Sequence, residues 1–186
     1  MDFSTGGPAV EVCGSGPPVC LVPDFARDRA QWSAQTPVLA RRYSVLLVDS
    51  DSNSSVSTLA RTVGRALADR SLGPAVVAGS GMGASVALEI ARHGPGRVCG
   101  LVLVSPDADA GRLEATATVK VPALVVAGTN DLLGAVANAE RTAARLVNAR
   151  LELVKGAASE PMVEARARFN ELLLGFLHQV TGGEAA

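Results

Sequence analysis

The turn at residues 79–83 has the residue types of a site that could carry a catalytic nucleophile. It joins a predicted strand, 75–78, to a predicted helix. A nucleophile elbow has the pattern Gly-x-Ser-x-Gly, because the residues two before and two after the nucleophile must be small where strand and helix approach each other. Gly79 and Gly83 fit that pattern only if Gly81 stands at the nucleophile's position. The sequence therefore predicts an elbow without its nucleophile.

Ser80 lies in this turn, one residue too early for the pattern. If Ser80 were the nucleophile, Ala78 and Met82 would flank it, and Met82 is too bulky for the crowded position. Ser80 is therefore predicted to precede the apex of the turn. The glycine-rich run leaves open whether its hydroxyl points into the site, because glycine tolerates many backbone angles.

The same turn also satisfies a dinucleotide-binding fingerprint. Residues 79–84 read Gly-x-Gly-x-x-Ala, and Asp107 follows the next strand, where a ribose-binding acid could lie. Two complete strands precede the motif, however, whereas the fingerprint normally follows the first strand of its unit. We therefore predict no nucleotide and no other cofactor.

Strands and helices alternate along the chain, which predicts an α/β fold with a mostly parallel sheet. Hydrophobic residues make up 48% of the 186 residues and aromatic residues only 3%. Val, Leu and Ala must then fill the core, as is typical of parallel strands covered by helices on both faces. We predict one domain, 9–180, between a flexible start, 1–8, and a disordered tail, 181–186.

The order of the segments resembles that of the α/β-hydrolase superfamily. The matching segments are 11–25, 43–49, 75–92, 97–106, 121–131, 149–156 and 169–180, which resemble the opening strand pair, the next strand, the elbow, three later strands and the closing helix. The resemblance implies a three-layer sandwich. Family members commonly insert a helical cap where this chain has only residues 107–119, so no cap domain is expected and the mouth above Gly81 should be open.

The departures from this family lie at its catalytic positions. Where the family has a His-Gly pair whose loop donates an N–H group to the oxyanion hole, this chain has Pro23-Asp24. The resemblance keeps the catalytic acid as Asp131, in Gly128-x-x-Asp131, and replaces the catalytic histidine by Ser159. It therefore implies a degenerate triad, and losing the nucleophile or its base leaves only what binding and oxyanion stabilisation supply.

The two histidines of the chain do not suggest a substitute base. His93 stands near the predicted C-terminus of the elbow helix, where it favours the helix dipole and faces solvent. His178 lies on the polar side of the amphipathic closing helix. A Ser-His-Asp hydrolase is therefore not expected from the available residues.

The remaining polar groups predict a site above the carboxyl ends of the strands, where open α/β sheets bind ligands. The predicted catalytic residues are Asp24, Ser80, Asp131 and Ser159, and the predicted substrate-binding residues are Phe25, Gly81 and Met82. An ionised Asp24 would repel a developing oxyanion, which disfavours ester hydrolysis. Asp24 and Asp131 could instead serve as general acid and base without a covalent intermediate.

Three functions follow from this site. The first is a non-hydrolytic enzyme that catalyses proton transfer, such as a cyclisation, elimination or rearrangement of a small apolar metabolite, by analogy in natural-product biosynthesis. The second is a catalytically inactive binding or assembly protein, with a protein partner or a second copy over the open mouth. The third is an atypical serine esterase or thioesterase that uses Ser80.

Composition limits the other partners. A net charge of −1 provides no field for nucleic acid or an anionic membrane. No apolar run approaches the roughly 20 residues that span a bilayer, and the start lacks a signal pattern, so a cytoplasmic location is expected. The odd number of cysteines, Cys13, Cys20 and Cys99, and the lack of a Cys-x-x-Cys or histidine cluster predict structural thiols and no metal site.

Overall fold

The computed structural model describes residues 10–49, 54–69, 72–94, 96–108, 110, 114–132 and 134–182. The predicted flexible start, 1–8, and the last four residues of the predicted tail, 183–186, lie outside these ranges. The closing helix extends through Thr181, and Gly182 ends it in a left-handed conformation with φ 66°. These two residues therefore continue the folded domain where the sequence predicted the tail to begin.

Within the described ranges, seven strands form one sheet. They are β1 (Val10–Cys13), β2 (Pro18–Val22), β3 (Ser44–Val48), β4 (Ala75–Ser80), β5 (Val98–Val104), β6 (Ala123–Gly128) and β7 (Ala149–Val154). Their spatial order is β1-β3-β2-β4-β5-β6-β7. Strand β1 pairs antiparallel with β3, and every other neighbouring pair is parallel. The predicted mostly parallel central sheet is confirmed.

The central strands are almost continuously apolar because helices cover them on both sides. Every residue of β2, β3, β4 and β6 is buried. Edge strand β1 has no fully buried residue, and β7 has one, Val154. The apolar runs therefore specify which strands lie at the centre of the sheet.

The described residues form six α-helices that flank the sheet: α1 (Thr36–Leu39), α2 (Val56–Asp69), α3 (Met82–His93), α4 (Ala135–Arg145), α5 (Pro161–Glu164) and α6 (Arg166–Thr181). One hydrophobic cluster joins α2, α3 and α4 to one face. The other face packs against α6 and the 3-10 helix Arg29–Trp32, where the rings of Trp32 and Phe169 lie 6.2 Å apart. The two clusters give the predicted three-layer sandwich.

The connection between β5 and β6 is short. Its described part contains one 3-10 helix, Glu114–Thr118, and no cap domain. The carboxyl ends of β4, β5 and β6 are therefore not covered by a domain inserted here, as far as the described residues extend.

None of the helices in the described part of the chain is long and apolar enough to cross a membrane. The longest of them, α6, has 16 residues, whereas a crossing needs about 20. The predicted cytoplasmic location is not tested by this finding and stays a prediction.

Candidate functional site

Gly81 is the apex of the turn between β4 and α3. Its backbone angles are φ 55° and ψ −122°, a region that residues with a side chain rarely adopt. Two hydrogen bonds hold the apex: Gly81 N–H donates to the Val104 carbonyl at 3.0 Å, and Ala84 N–H donates to the Gly81 carbonyl at 3.0 Å. The strained position of this turn is therefore occupied by a residue without a side chain.

The glycines on either side of the apex are required by close backbone contacts. A Cβ atom on Gly79 would overlap the Gly83 carbonyl and lie 2.6 Å from the Ala84 nitrogen. A Cβ atom on Gly83 would lie 2.5 Å from the carbonyl oxygens of Val22 and Pro23. Strand, helix and the loop after β2 thus meet at distances that only glycine allows, in the frame that has Gly81 at its centre.

The carboxylate of Asp24 fills the space beside Gly81. A Cβ atom on Gly81 would overlap Asp24 Oδ2 and lie 2.6 Å from its Cγ. Asp24 makes hydrogen bonds through its backbone, whereas its carboxylate has no hydrogen-bond or ion-pair partner in the described part of the chain. A half-buried carboxylate therefore stands where the side chain of an apex residue would be.

A small network holds the loop that carries Asp24. Its backbone N–H donates to Gln31 Oε1 at 3.0 Å, and its carbonyl accepts from Arg27 N–H at 2.9 Å. Glu160 binds both of these partners: Gln31 Nε2 donates to Glu160 Oε1 and Arg27 Nη2 donates to Glu160 Oε2, each at 2.8 Å. The contact between Gln31 and Glu160 was not predicted from the sequence, because the two residues are 129 positions apart.

Asp131 and Ser159 lie on two loops that are bound to each other. Asn130 N–H donates to the Ala157 carbonyl at 2.8 Å, which joins the loop after β6 to the loop after β7. Asp131 Oδ1 also accepts from the N–H of Ala135, the first residue of α4, at 3.1 Å. Asp131 therefore has a helix-capping contact in addition to its place at the site.

These loops surround a cavity of about 660 Å³. It lies at the carboxyl ends of the parallel strands, where α/β sheets place ligands. Of the residues predicted from the sequence, six line it: Asp24, Ser80, Gly81, Met82, Asp131 and Ser159. Phe25 does not line it, because its half-buried side chain packs against the hydrophobic cluster beneath α2, α3 and α4. The chemical role of each residue stays a prediction.

Two serines that line this cavity have hydroxyls without a partner among the described residues. Ser80 is 2% exposed, and its hydroxyl makes no hydrogen bond within the described residues. The buried Oγ of Ser105 also lacks a partner. Ser105 has φ 41° and is the one described residue other than glycine with a positive φ. The sequence analysis missed Ser105, because no local pattern marks a strained backbone at the end of a buried strand.

Neither histidine lines the cavity. His93, at the end of α3, has its Nδ1 3.2 Å from both the carbonyl oxygen and Oε1 of Glu89. It borders a different cavity, of about 570 Å³, which lies between α2 and α3 and is also lined by Arg61 and Arg97. His178 is exposed on α6.

The cysteines lie away from the site as well, since none lines the cavity. Cys20 is fully buried in β2, and burial raises the pKa of its thiol to about 12. Cys13 and Cys99 are only partly buried. Within the described ranges, no group of three or more His, Cys, Asp or Glu side chains is arranged to hold a metal ion.

Solved structures that superimpose on this chain have the α/β-hydrolase fold. Est816, described as an N-acyl homoserine lactone degrading enzyme, superimposes with a TM-score of 0.84 over 93% of this chain and 98% of its own, at 20% identity. A thermophilic esterase from Thermogutta terrifontis gives 0.83 over 94% of each chain at 20% identity. MenH from S. aureus superimposes with a TM-score of 0.79 over 94% of this chain and 99% of its own, at 16% identity. The chain has the α/β-hydrolase fold, which confirms the prediction.

Sequence relatives are also hydrolases by name. A pimeloyl-[acyl-carrier protein] methyl ester esterase of Methylococcus capsulatus is 34% identical over 99 residues, which is 51% of this chain and 39% of that protein. A protein of Azorhizobium caulinodans named for carbamate hydrolase activity, RutD, is 29% identical over 117 residues. These residues are 56% of this chain and 44% of that protein. The matched segment thus spans less than half the length of either relative. No protein-family model matches the chain.

Proposed function

We propose that this protein is a non-hydrolytic enzyme built on the α/β-hydrolase fold, with Asp24 as its general base. The reaction is a proton transfer, such as a cyclisation, elimination or rearrangement, on a small and mostly apolar metabolite, with natural-product biosynthesis as the context suggested by analogy. The observation that carries this proposal is the Asp24 carboxylate beside the apex glycine, Gly81, in the space of a nucleophile's side chain.

Three features argue against ester hydrolysis through a serine at the elbow. The apex residue, Gly81, has no hydroxyl. The Asp24 carboxylate stands beside the N-terminus of α3, where it would repel the oxyanion of an acyl-transfer intermediate. Neither histidine lines the cavity, so no imidazole is in reach of a serine there to remove its proton.

Asp24 has the properties that a general base needs. Its carboxylate is half-buried, lines the cavity and has no partner among the described residues, so it is available to take a proton from a bound ligand. Asp131 lines the same cavity and is the candidate for returning a proton to the product, while the Ser80 hydroxyl, which also lines it, contacts the substrate. In this proposal Ser159 and Met82 contact the substrate at the edge of the site.

A hydrolytic function is the second candidate, and two observations favour it. Both sequence relatives carry the names of hydrolases. The Ser80 hydroxyl lines the cavity without a hydrogen-bond partner in the described residues. In that case Ser80 would be the nucleophile of an atypical esterase or thioesterase, and Asp24 would be the base that activates it.

A binding or assembly role is the third candidate. Leu132, next to Asp131 in the sequence, is 96% exposed and would offer a partner an apolar contact, although single exposed apolar side chains are common on protein surfaces. A protein partner or a second copy of the chain would then cover the mouth of the cavity. In that case neither Asp24 nor Ser80 would support turnover.

Isotope labelling separates these candidates. The protein is incubated with a metabolite extract in water enriched in ¹⁸O, and products are identified by mass spectrometry against an Asp24→Asn control. The proposed function predicts products that depend on Asp24 and contain no ¹⁸O. Products that acquire ¹⁸O would show hydrolysis, and an extract left unchanged by the native protein would favour the binding role.

A further inference from the structure

We propose that the cavity recognises a cation, so that the ligand is an amine with an apolar body and an ammonium group bound at Asp24. This inference rests on the proposed function, because it names the substrate class of the same site. It is drawn from the charge of the cavity and from the polar groups without partners that face it.

Among the described residues of the lining, carboxylates outnumber cationic groups. Its described residues include four carboxylates, Asp24, Asp107, Asp131 and Glu160, and one guanidinium, Arg27. Arg27 is bound to Glu160 at 2.8 Å, so these two opposite charges offset each other. A cavity lined by one sign of charge concentrates ligands of the opposite sign and excludes ligands of the same sign.

The N-terminus of α3 would normally attract an anion to this position. Here the protein places its own carboxylate there, because Asp24 lies beside Gly81, the residue that caps α3. An anionic ligand that approached the helix would meet the Asp24 carboxylate first. The usual anion site of the turn is thereby converted into a site for positive charge.

The hydroxyl group of Ser80 points to a hydrogen-bonding ligand. Ser80 is only 2% exposed and lines the cavity, yet its hydroxyl has no partner in the described residues. Polar groups in so buried a residue usually have one. An ammonium group has three N–H donors, which suits the Asp24 carboxylate and the Ser80 hydroxyl as acceptors.

The apolar part of the lining accommodates the rest of such a ligand. Met82, Pro106 and Ala135 line the cavity together with the charged groups. A volume of about 660 Å³ is within the range of small-molecule sites. The site thus combines an apolar wall with a fixed negative charge.

Equilibrium binding tests this inference without any turnover. Hexylammonium, 1-hexanol and hexanoate have the same chain length and differ in charge, and so do benzylammonium, benzyl alcohol and benzoate. Each probe is titrated against the native protein, Asp24→Asn, and Glu171→Gln as a matched control. Glu171 is an exposed residue of α6 outside the cavity lining, so its variant changes the net charge equally.

We expect each ammonium to bind at least about tenfold more tightly than its alcohol and carboxylate, since charge-assisted hydrogen bonds are the stronger ones. The preference should disappear in Asp24→Asn, persist in Glu171→Gln and weaken at high salt. Equal or weaker binding of the ammonium probes, or a preference that survives Asp24→Asn, would overturn the inference. The proposed function would fail separately, through turnover that does not depend on Asp24.

Discussion

The carboxylate of Asp24 lies beside Gly81 and occupies the volume that a Cβ atom at residue 81 would need. The fold is that of the α/β hydrolases, in which this turn is the place for a nucleophile. In this chain the apex residue is glycine, and the loop after β2 places a carboxylate beside it.

Replacing Gly81 by alanine should destabilise the protein through Asp24. Alanine at φ 55° costs about 1–2 kcal/mol from the backbone alone, and its Cβ also overlaps the Asp24 carboxylate. The loss of stability caused by G81A should therefore be smaller when D24G is also present. Urea unfolding of G81A, D24G and the double variant measures a coupling free energy that we expect to be about 1 kcal/mol or more.

Gly175 provides the control for this cycle. It lies on the exposed side of α6, where a Cβ atom would have no neighbouring atom within 4 Å outside the backbone of its own helix. G175A should stabilise the protein by up to about 1 kcal/mol, because alanine favours the helix. If G81A were equally costly with and without Asp24, the two residues would not compete for space.

Removing the Glu160 carboxylate should loosen the loop that carries Asp24. E160A takes away the acceptor of both Gln31 and Arg27. The Arg27 side chain is 57% exposed, so its ion pair contributes little, and a total loss of about 1 kcal/mol should come mainly from the Gln31 hydrogen bond. Exchange of the backbone amide hydrogens of residues 24–31 with solvent should therefore be faster in E160A than in the native protein.

The exposed pair of Arg168 and Glu171 on α6 is the control for E160A, since both side chains are at least half exposed. E171A should change the free energy of unfolding by less than about 0.5 kcal/mol and leave exchange over residues 24–31 as it is. Unchanged exchange in E160A as well would show that Glu160 does not position this loop.

The protein should be more stable with glycine at position 105 than with alanine there. At ordinary backbone angles glycine is less stable than alanine by about 0.5–1 kcal/mol, whereas at φ 41° the strain of a side chain is of order 1–3 kcal/mol. S105G should therefore unfold at higher urea concentration than S105A. The opposite order would mean that the backbone at Ser105 is not strained.

Cys20 should be inert in the folded protein, because burial raises the pKa of its thiol from 9.0 to about 12. At pH 8 a thiol reagent should modify Cys13 before Cys99, whose thiol pKa is also raised by burial, and should reach Cys20 only in urea. Labelling of Cys20 in the native protein at pH 8, read by peptide mass, would contradict this burial.

The same shift predicts how stability depends on pH. The folded state keeps the Cys20 proton up to about pH 12, whereas the unfolded state loses it from about pH 9. The unfolded state then binds fewer protons, so the free energy of unfolding should fall between these values by up to about 1.4 kcal/mol per pH unit. C20A should remove this part of the decline. If the free energy of unfolding of C20A declined with the same slope, other groups would be responsible for the decline.

Much of the fold could be predicted from the sequence, because continuous apolar segments specify buried parallel strands and glycines mark the tight turn. Gly79 and Gly83 identify the frame of the elbow through their small size alone. Less of the site could be predicted. The overlap of Asp24 with the apex depends on loop conformation, the Gln31–Glu160 contact joins distant segments, and the strain at Ser105 leaves no trace in residue type. Phe25 follows Asp24 in sequence but packs into the core.

We propose that the reactive group of this site is the Asp24 carboxylate and not a serine hydroxyl. The measurement that tests it most directly is turnover by the matched variants D24N and S80A, on any substrate that the native protein converts. We predict that D24N lowers kcat by about 10²–10⁴-fold, as expected for loss of a general base, while S80A stays within a few-fold of native. Loss of activity in S80A, with activity retained in D24N, would contradict the account.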